Sequence, residues 1–101
     1  MINLIYKNTG EHIARIEGDW LVHRDGRPIG YIEDNKVYSI EEGEYIGEIT
    51  DDGRVLKEIG ENFSIKILKG NPGDFGDMGY AGNRGHYGSL PAGVEDAMKD
   101  F

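Results

Sequence analysis

The first two thirds of the chain repeat themselves at an interval of 16 residues. Ile5-Tyr6-Lys7-Asn8-Thr9-Gly10-Glu11-His12-Ile13-Ala14-Arg15-Ile16 aligns with Leu21-Val22-His23-Arg24-Asp25-Gly26-Arg27-Pro28-Ile29-Gly30-Tyr31-Ile32, and the apolar positions coincide. A third copy, residues 37–49, carries one extra residue before its turn; a fourth, residues 55–65, is the most degenerate. Each copy reads as strand, tight turn, strand: a β-branched or aromatic pair, then Asn-Thr-Gly, Arg-Asp-Gly or Glu-Glu-Gly, then a run ending in Ile-Gly-x-Ile or its equivalent. A unit this small cannot bury its own apolar face, so the four must stack in a row or gather round an axis.

Between the units, Glu17-Gly18-Asp19, Glu33-Asp34-Asn35 and Thr50-Asp51-Asp52-Gly53 supply a second set of turns. Turn following turn makes an up-and-down β-meander. Closure is expected, because an open sheet of this size would leave unpaired edges.

Four tandem units with a turn glycine and an Ile-Gly-x-Ile ending resemble the bacterial 4-fold beta flower proteins. The resemblance covers residues 2–67, is carried best by Asp25-Gly26-Arg27-Pro28-Ile29-Gly30-Tyr31-Ile32 and least by the fourth unit. It implies four short hairpins radiating around a pseudo-fourfold axis, and no established activity. Members of that family often end in basic, proline-rich tails, whereas this chain ends in acidic, glycine-rich sequence, so no tail-borne function transfers. Cell-wall-binding hairpin repeats and WG-type repeats match less well, since their tryptophans are missing apart from Trp20.

A different rule governs the rest. Gly70, Gly73, Gly76, Gly79, Gly82, Gly85 and Gly88 recur at every third residue. The second place of the triplets is polar except at Tyr80; the third holds Pro72, Phe75, Met78, Ala81, Arg84, Tyr87 and Leu90. One glycine face, one polar face and one mostly apolar face suit a polyproline-II or polyglycine-II helix, three residues to the turn. Collagen is disfavoured, as Pro72 alone supplies imino-acid stiffness. If straight, the stretch would reach about 60 Å, whereas a compact 69-residue body is about 28 Å across. It must project and meet a partner chain, or bend and wrap the body. Beyond Pro91, residues 92–101 are expected to form a helical turn or two with Val94, Ala97, Met98 and Phe101 on one side.

The expected architecture is therefore all-β: a fourfold hairpin domain over 1–69, an extended glycine-triplet segment over 70–90, and a short amphipathic tail over 91–101. Both parts are acidic, with 9 basic against 14 acidic residues in 1–69, 2 against 5 in 70–101, and a formal charge of −8. Direct binding to nucleic acid is disfavoured, since it relies on Lys and Arg to displace counterions. No stretch has the length and apolarity of a membrane span, and MINLIYKN carries neither a basic leader nor an apolar run, so a soluble, cytoplasmic protein is expected. The absence of cysteine removes disulfides, thiolate metal sites and a cysteine nucleophile.

Candidate chemistry is sparse. His12, His23 and His86 have no metal-ligand or catalytic spacing, and the first two read as exposed strand or turn residues. Asp51-Asp52-Gly53 lacks the alternating oxygens and distal Glu of a calcium loop, and no serine stands in a nucleophile elbow. No cofactor or metal is expected, and the chain does not read as an enzyme. Trp20, Tyr31, Tyr38 and Tyr45 in the hairpins, with Phe75, Met78, Tyr87 and Leu90 in the triplets, are the candidate binding residues, through aromatic stacking or an apolar edge. The expected role is an acidic, non-catalytic protein-interaction module, a homo-oligomer or one docked on a protein partner through the triplets. Alternatives are an acidic inhibitor or nucleic-acid mimic that covers a basic surface, and a carbohydrate-binding or fibre-associated component.

Overall fold

The computed structural model describes residues 4–60, 66–79 and 81–101. Eight strands form one antiparallel sheet in chain order: β1 Leu4–Tyr6, β2 His12–Glu17, β3 Trp20–His23, β4 Pro28–Glu33, β5 Lys36–Ser39, β6 Tyr45–Ile49, β7 Val55–Glu58 and β8 Val94–Asp96. No helix occurs among the described residues. The fold is the all-β meander that the repeat implied.

The repeat explains the curl. In the first three hairpins the pairing register slips at the same place, between Ile5 and Tyr6, Leu21 and Val22, and Val37 and Tyr38. A bulge there bends each hairpin and increases its twist. The sheet therefore curls, and brings Tyr6 and the turn after β1 against the turn before β7 and against β8. Across that seam the Tyr6 N–H donates to the Gly53 carbonyl (2.8 Å) and the Asn8 N–H to Asp96 Oδ2 (2.8 Å).

Ile5, Leu21, Val37 and Val55 hold the same position in the four units, and all four are completely buried. Each large side chain faces a small residue across its hairpin: Ala14, Gly30 and Gly47 in the first three, while in the fourth the Ala97 N–H bonds the Val55 carbonyl (2.9 Å). Large beside small lets the units close up. A Cβ on Gly30 would sit 2.6 Å from Val37 Cγ1, and one on Gly47 3.0 Å from Val55 Cγ1. The glycine of Ile-Gly-x-Ile is thus the gap into which the next unit's aliphatic side chain packs.

The fourth unit departs from the expected plan. The run expected to form its second strand falls on residues 61–65, which lie outside the described set, and Ile59 before it is exposed. The partner of β7 is β8, with Leu56 opposite Asp96 and Glu58 opposite Val94. Val94–Asp96 is accordingly strand rather than the expected helical turn, and residues 97–100 are hydrogen-bonded turn. The open edge of β7 wins: a strand added there satisfies backbone groups that a short isolated helix would leave to water. Met98, 0% exposed, joins the core, and the Met98 N–H donates to Asp96 Oδ1 (3.0 Å).

The triplet segment is extended, but it is not a polyproline-II helix. Gly70, Gly73, Gly76, Gly79, Gly82 and Gly88 have φ between 75° and 96°, whereas that helix needs about −75° throughout. The second-place side chains are the cause. Asn71, Asp74 and Asp77 each accept, through Oδ1, the N–H of the next triplet's glycine at 2.8, 2.6 and 2.6 Å, and His86 does the same through Nδ1 at 2.8 Å. Each is a small side-chain turn of the kind Asn and Asp favour.

The third-place N–H groups point at the body. Phe75 donates to the Gly26 carbonyl (2.9 Å), Met78 to Arg24 (3.0 Å), Arg84 to Gly10 (2.9 Å) and Tyr87 to Asn8 (3.1 Å); Ala81 donates to His12 Nδ1 (3.2 Å). The period of three is a hydrogen-bond register, one bond to the body from each of the five triplets that end at Phe75, Met78, Ala81, Arg84 and Tyr87. Before these, the Ile67 N–H donates to the Gly43 carbonyl (2.9 Å). The segment thus passes the hairpin tips of units three, two and one in turn, and delivers β8 to unit four. It wraps, so the whole chain measures 34 × 34 × 24 Å.

Candidate interaction surfaces

The turns at the two ends of the hairpins lie in different surroundings. At the hairpin tips, Gly10, Gly26 and Gly43 are buried beneath the strap, residues 66–79 and 81–90. A Cβ on Gly43 would meet the Ile67 carbonyl carbon at 2.7 Å, one on Gly26 would meet Gly76 at 2.8 Å, and one on Gly10 would collide with the Arg84 carbonyl oxygen. Tip glycines that looked like turn formers also let another backbone lie against them.

Two histidines expected to be exposed are buried at this end: His12 at 0% and His23 at 8%. The strap covers His12, and the sequence of β2 alone carries no sign of that. Burial lowers both imidazoles from their ordinary 6.5, and Arg24 and Arg15 push His12 further down. Arg15 is also buried; its Nη2 donates to the carbonyls of Phe75 (3.2 Å) and Gly76 (3.0 Å), and its Nε to Glu17 (2.9 Å). A guanidinium on β2 therefore clamps the strap from below.

Of the candidate binding residues, four are brought together and four are not. Trp20, Tyr31, Tyr38 and Tyr45 are successive cross-strand partners on β3 to β6. Trp20 meets Tyr31 edge to face at 5.4 Å, as Tyr38 meets Tyr45 at 6.1 Å. This ladder is mostly packing: Tyr38 is 5% exposed, the other three are half-buried, and Lys69 Nζ lies 5.1 Å above the Tyr31 ring. Phe75, Met78, Tyr87 and Leu90 are strung along the strap instead of forming one apolar edge. Phe75, Tyr87 and Leu90 are half-buried, while Met78 is 39% exposed. Tyr87 is held between guanidinium groups, Arg84 at 3.8 Å and Arg54 at 4.5 Å from its ring, and its hydroxyl donates to the Asp52 carbonyl (2.6 Å). Burial pushes that phenol up.

The opposite end is open. Ile16, Ile32 and Ile49, the last residues of three Ile-Gly-x-Ile equivalents, are half-buried around a cleft of about 440 Å³ whose rim is Gly18, Asn35, Thr50 and Asp51. A second depression of about 490 Å³ shares Asn35, Ile49, Thr50 and Asp51 with it and runs to Leu56 and Tyr45. Glu17, Asp19, Glu33, Asp34, Asp51 and Asp52 are all exposed on the turns here. Glu17 is paired with Arg15 and Asp52 with Arg54, whose hydrogen bond holds the Asp52 carboxyl below its ordinary range. An apolar mouth in an acidic collar is the result. The sequence shows these isoleucines only as repeated apolar positions; the signal available was that three of them recur beside acidic turns.

No cluster of three metal-ligating side chains occurs among the described residues, and no helix among them is long and apolar enough to cross a membrane. Comparison with curated proteins and with solved structures returns no match. Residues 3–60 match the model of a family described as 4-fold beta flower protein, which is not a known enzyme family. That match ends just after β7, so the strap and β8 lie outside it. With more than half of its length matched and eight antiparallel strands curled into one sheet, the chain belongs to the 4-fold beta flower proteins.

Proposed function

We propose that this flower is a non-catalytic docking module that takes a basic, apolar-tipped segment of a partner protein at its open end. The observation that supports this is the cleft between Ile16, Ile32 and Ile49 inside its collar of exposed carboxylates. Half-exposed aliphatic side chains offer burial to an inserted apolar residue, at about 25 cal/mol per Å² covered. The carboxylates select lysine or arginine on either side of it and speed encounter. Covering a basic surface of a target, as an acidic inhibitor would, is a form of the same chemistry.

The test is a methyl-detected titration of the full chain with a synthetic peptide in which lysines flank a central leucine. The Ile16, Ile32 and Ile49 methyls should shift, the affinity should fall steeply with salt, and Ile32→Glu should abolish binding. Shifts confined to the Tyr31 to Tyr45 ladder, or equal binding of a glutamate-flanked peptide, would refute the reading. Docking or self-association through the triplet segment is the second reading, favoured by the exposed Pro72, Met78 and Ala81 on its third places. For that reading, Met78→Asp should reduce the mass measured by light scattering.

A further inference from the structure

The middle bond of the strap differs in kind from its neighbours. Phe75, Met78, Arg84 and Tyr87 donate to main-chain carbonyls, which accept at any ordinary pH. Ala81 donates to Nδ1 of His12, a titratable atom. A neutral imidazole accepts there when its proton is on Nε2; the imidazolium carries a donor at both nitrogens and accepts nothing.

His12 also holds the next triplet, since its main-chain N–H donates to Asn83 Oδ1 (3.2 Å). Its carbonyl accepts from Arg24 Nη1 (2.9 Å), and its ring lies edge to face with Tyr6 at 5.7 Å. The charges that bear on the ring are Arg24, Arg15 and His23, each opposing a second positive charge. Glu11, the adjacent carboxylate, lies 4.0 Å from Lys7 and 3.7 Å from Arg24. The strap's remaining histidine contacts follow one rule. His23 Nδ1 accepts the Asp25 N–H (3.1 Å) in the tip beneath Phe75, and His86 Nδ1 accepts the Gly88 N–H (2.8 Å) within the strap. Every histidine of this chain therefore accepts a main-chain N–H at Nδ1, at three points along one path.

We propose that the hairpin tips form a docking track for glycine-triplet polypeptide, occupied by this chain's own residues 75–79 and 81–88 while His12 is neutral and vacated when it is protonated. Protonation removes the Ala81 acceptor and sets a donor against a donor in a buried space. The carbonyls of Asn8, Gly10, Arg24 and Gly26 then lose their partners and stand as a row of acceptors open to a second extended chain.

Amide hydrogen exchange of the full chain, read residue by residue at pH 7.5 and pH 5 and divided by the intrinsic rates, tests this. Protection at Met78, Ala81, Arg84 and Tyr87 should fall at the lower pH by about tenfold more than at Leu21 and Val37, the factor for about one lost hydrogen bond. An equal change in strap and core would overturn the proposal. His12→Asn keeps an acceptor that does not titrate, and should remove the excess loss. Should that buried replacement fail to fold, Ala81→Pro removes the donor at an exposed position, and Met78 and Arg84 should then lose their extra pH dependence. Persistence of that dependence in either variant would show that His12 is not the latch.

Discussion

The two ends of this flower are built from the same repeat and finished in opposite ways. At the tips, Gly10, Gly26 and Gly43 are overlaid by a backbone that makes one hydrogen bond from each of five triplets, and Met98 completes the core. At the turns, Ile16, Ile32 and Ile49 are left half-covered among carboxylates. Two positions of the same repeat thus carry structure at one end and an open mouth at the other. Fourfold sequence symmetry specifies the body, and the segment outside the repeat decides which end is available.

If the tips are structural, the costliest change lies there. Met98→Ala removes a fully buried side chain from the shared core and should lower unfolding free energy by about 2–5 kcal/mol in urea titration. A loss as small as that at an open-end isoleucine would erase the distinction between the ends. Gly10→Val should come next, at about 1–3 kcal/mol, because its Cβ meets the Arg84 carbonyl and φ is +96°. Its mark should be faster amide exchange at Arg84 and Tyr87 with little change at Ile5.

Acid should separate the ends too. Burial lowers His12 and His23, so as pH falls through 6.5 the unfolded chain takes up protons that the folded chain refuses, and stability drops. The carboxyls of Asp25 and Asp52 are lowered as well, Asp25 chiefly by the Arg27 N–H and Asp52 by the Arg54 side chain; their contribution is present above 3.8 and is lost below it. Urea midpoints should therefore decline from pH 7 to pH 5, before the carboxylates titrate, and a flat profile over that interval would contradict the burial of both imidazoles.

The open end should respond least. Ile32→Ser, at a half-buried site, should cost about 1 kcal/mol, and Asp34→Asn within about 0.5 kcal/mol, both by urea titration. Both should weaken the lysine-flanked peptide more than they weaken the fold.

The three hairpins whose strands are neighbours in sequence were legible from apolar positions spaced 16 apart and from turn glycines, since strand, turn and strand are specified locally. The fourth was not. Leu56 and Asp96 are 40 residues apart, and no turn signal links them. The triplets were legible as a period but not as a conformation, because spacing carries no information on the sign of φ. Asn71, Asp74 and Asp77 at the second place held that information, as residues that cap the amide two positions on. His12 was misjudged because the residues that bury it lie some 70 positions away. The open cleft was hidden for a related reason: an isoleucine at the end of a repeat looks like core until one knows what stands at that end of the axis.

The delivery of β8 by a segment that circles three tips orders the assembly of the molecule in time. Units one to three can zip from neighbouring residues as soon as those residues exist, whereas the fourth must await a loop whose closure cost grows with its length. On a ribosome, β7 would stay bare while the strap is being made. Laying down the triplets one bond at a time shortens the remaining span at each step, so the strap serves as the guide rail along which the last strand finds its edge.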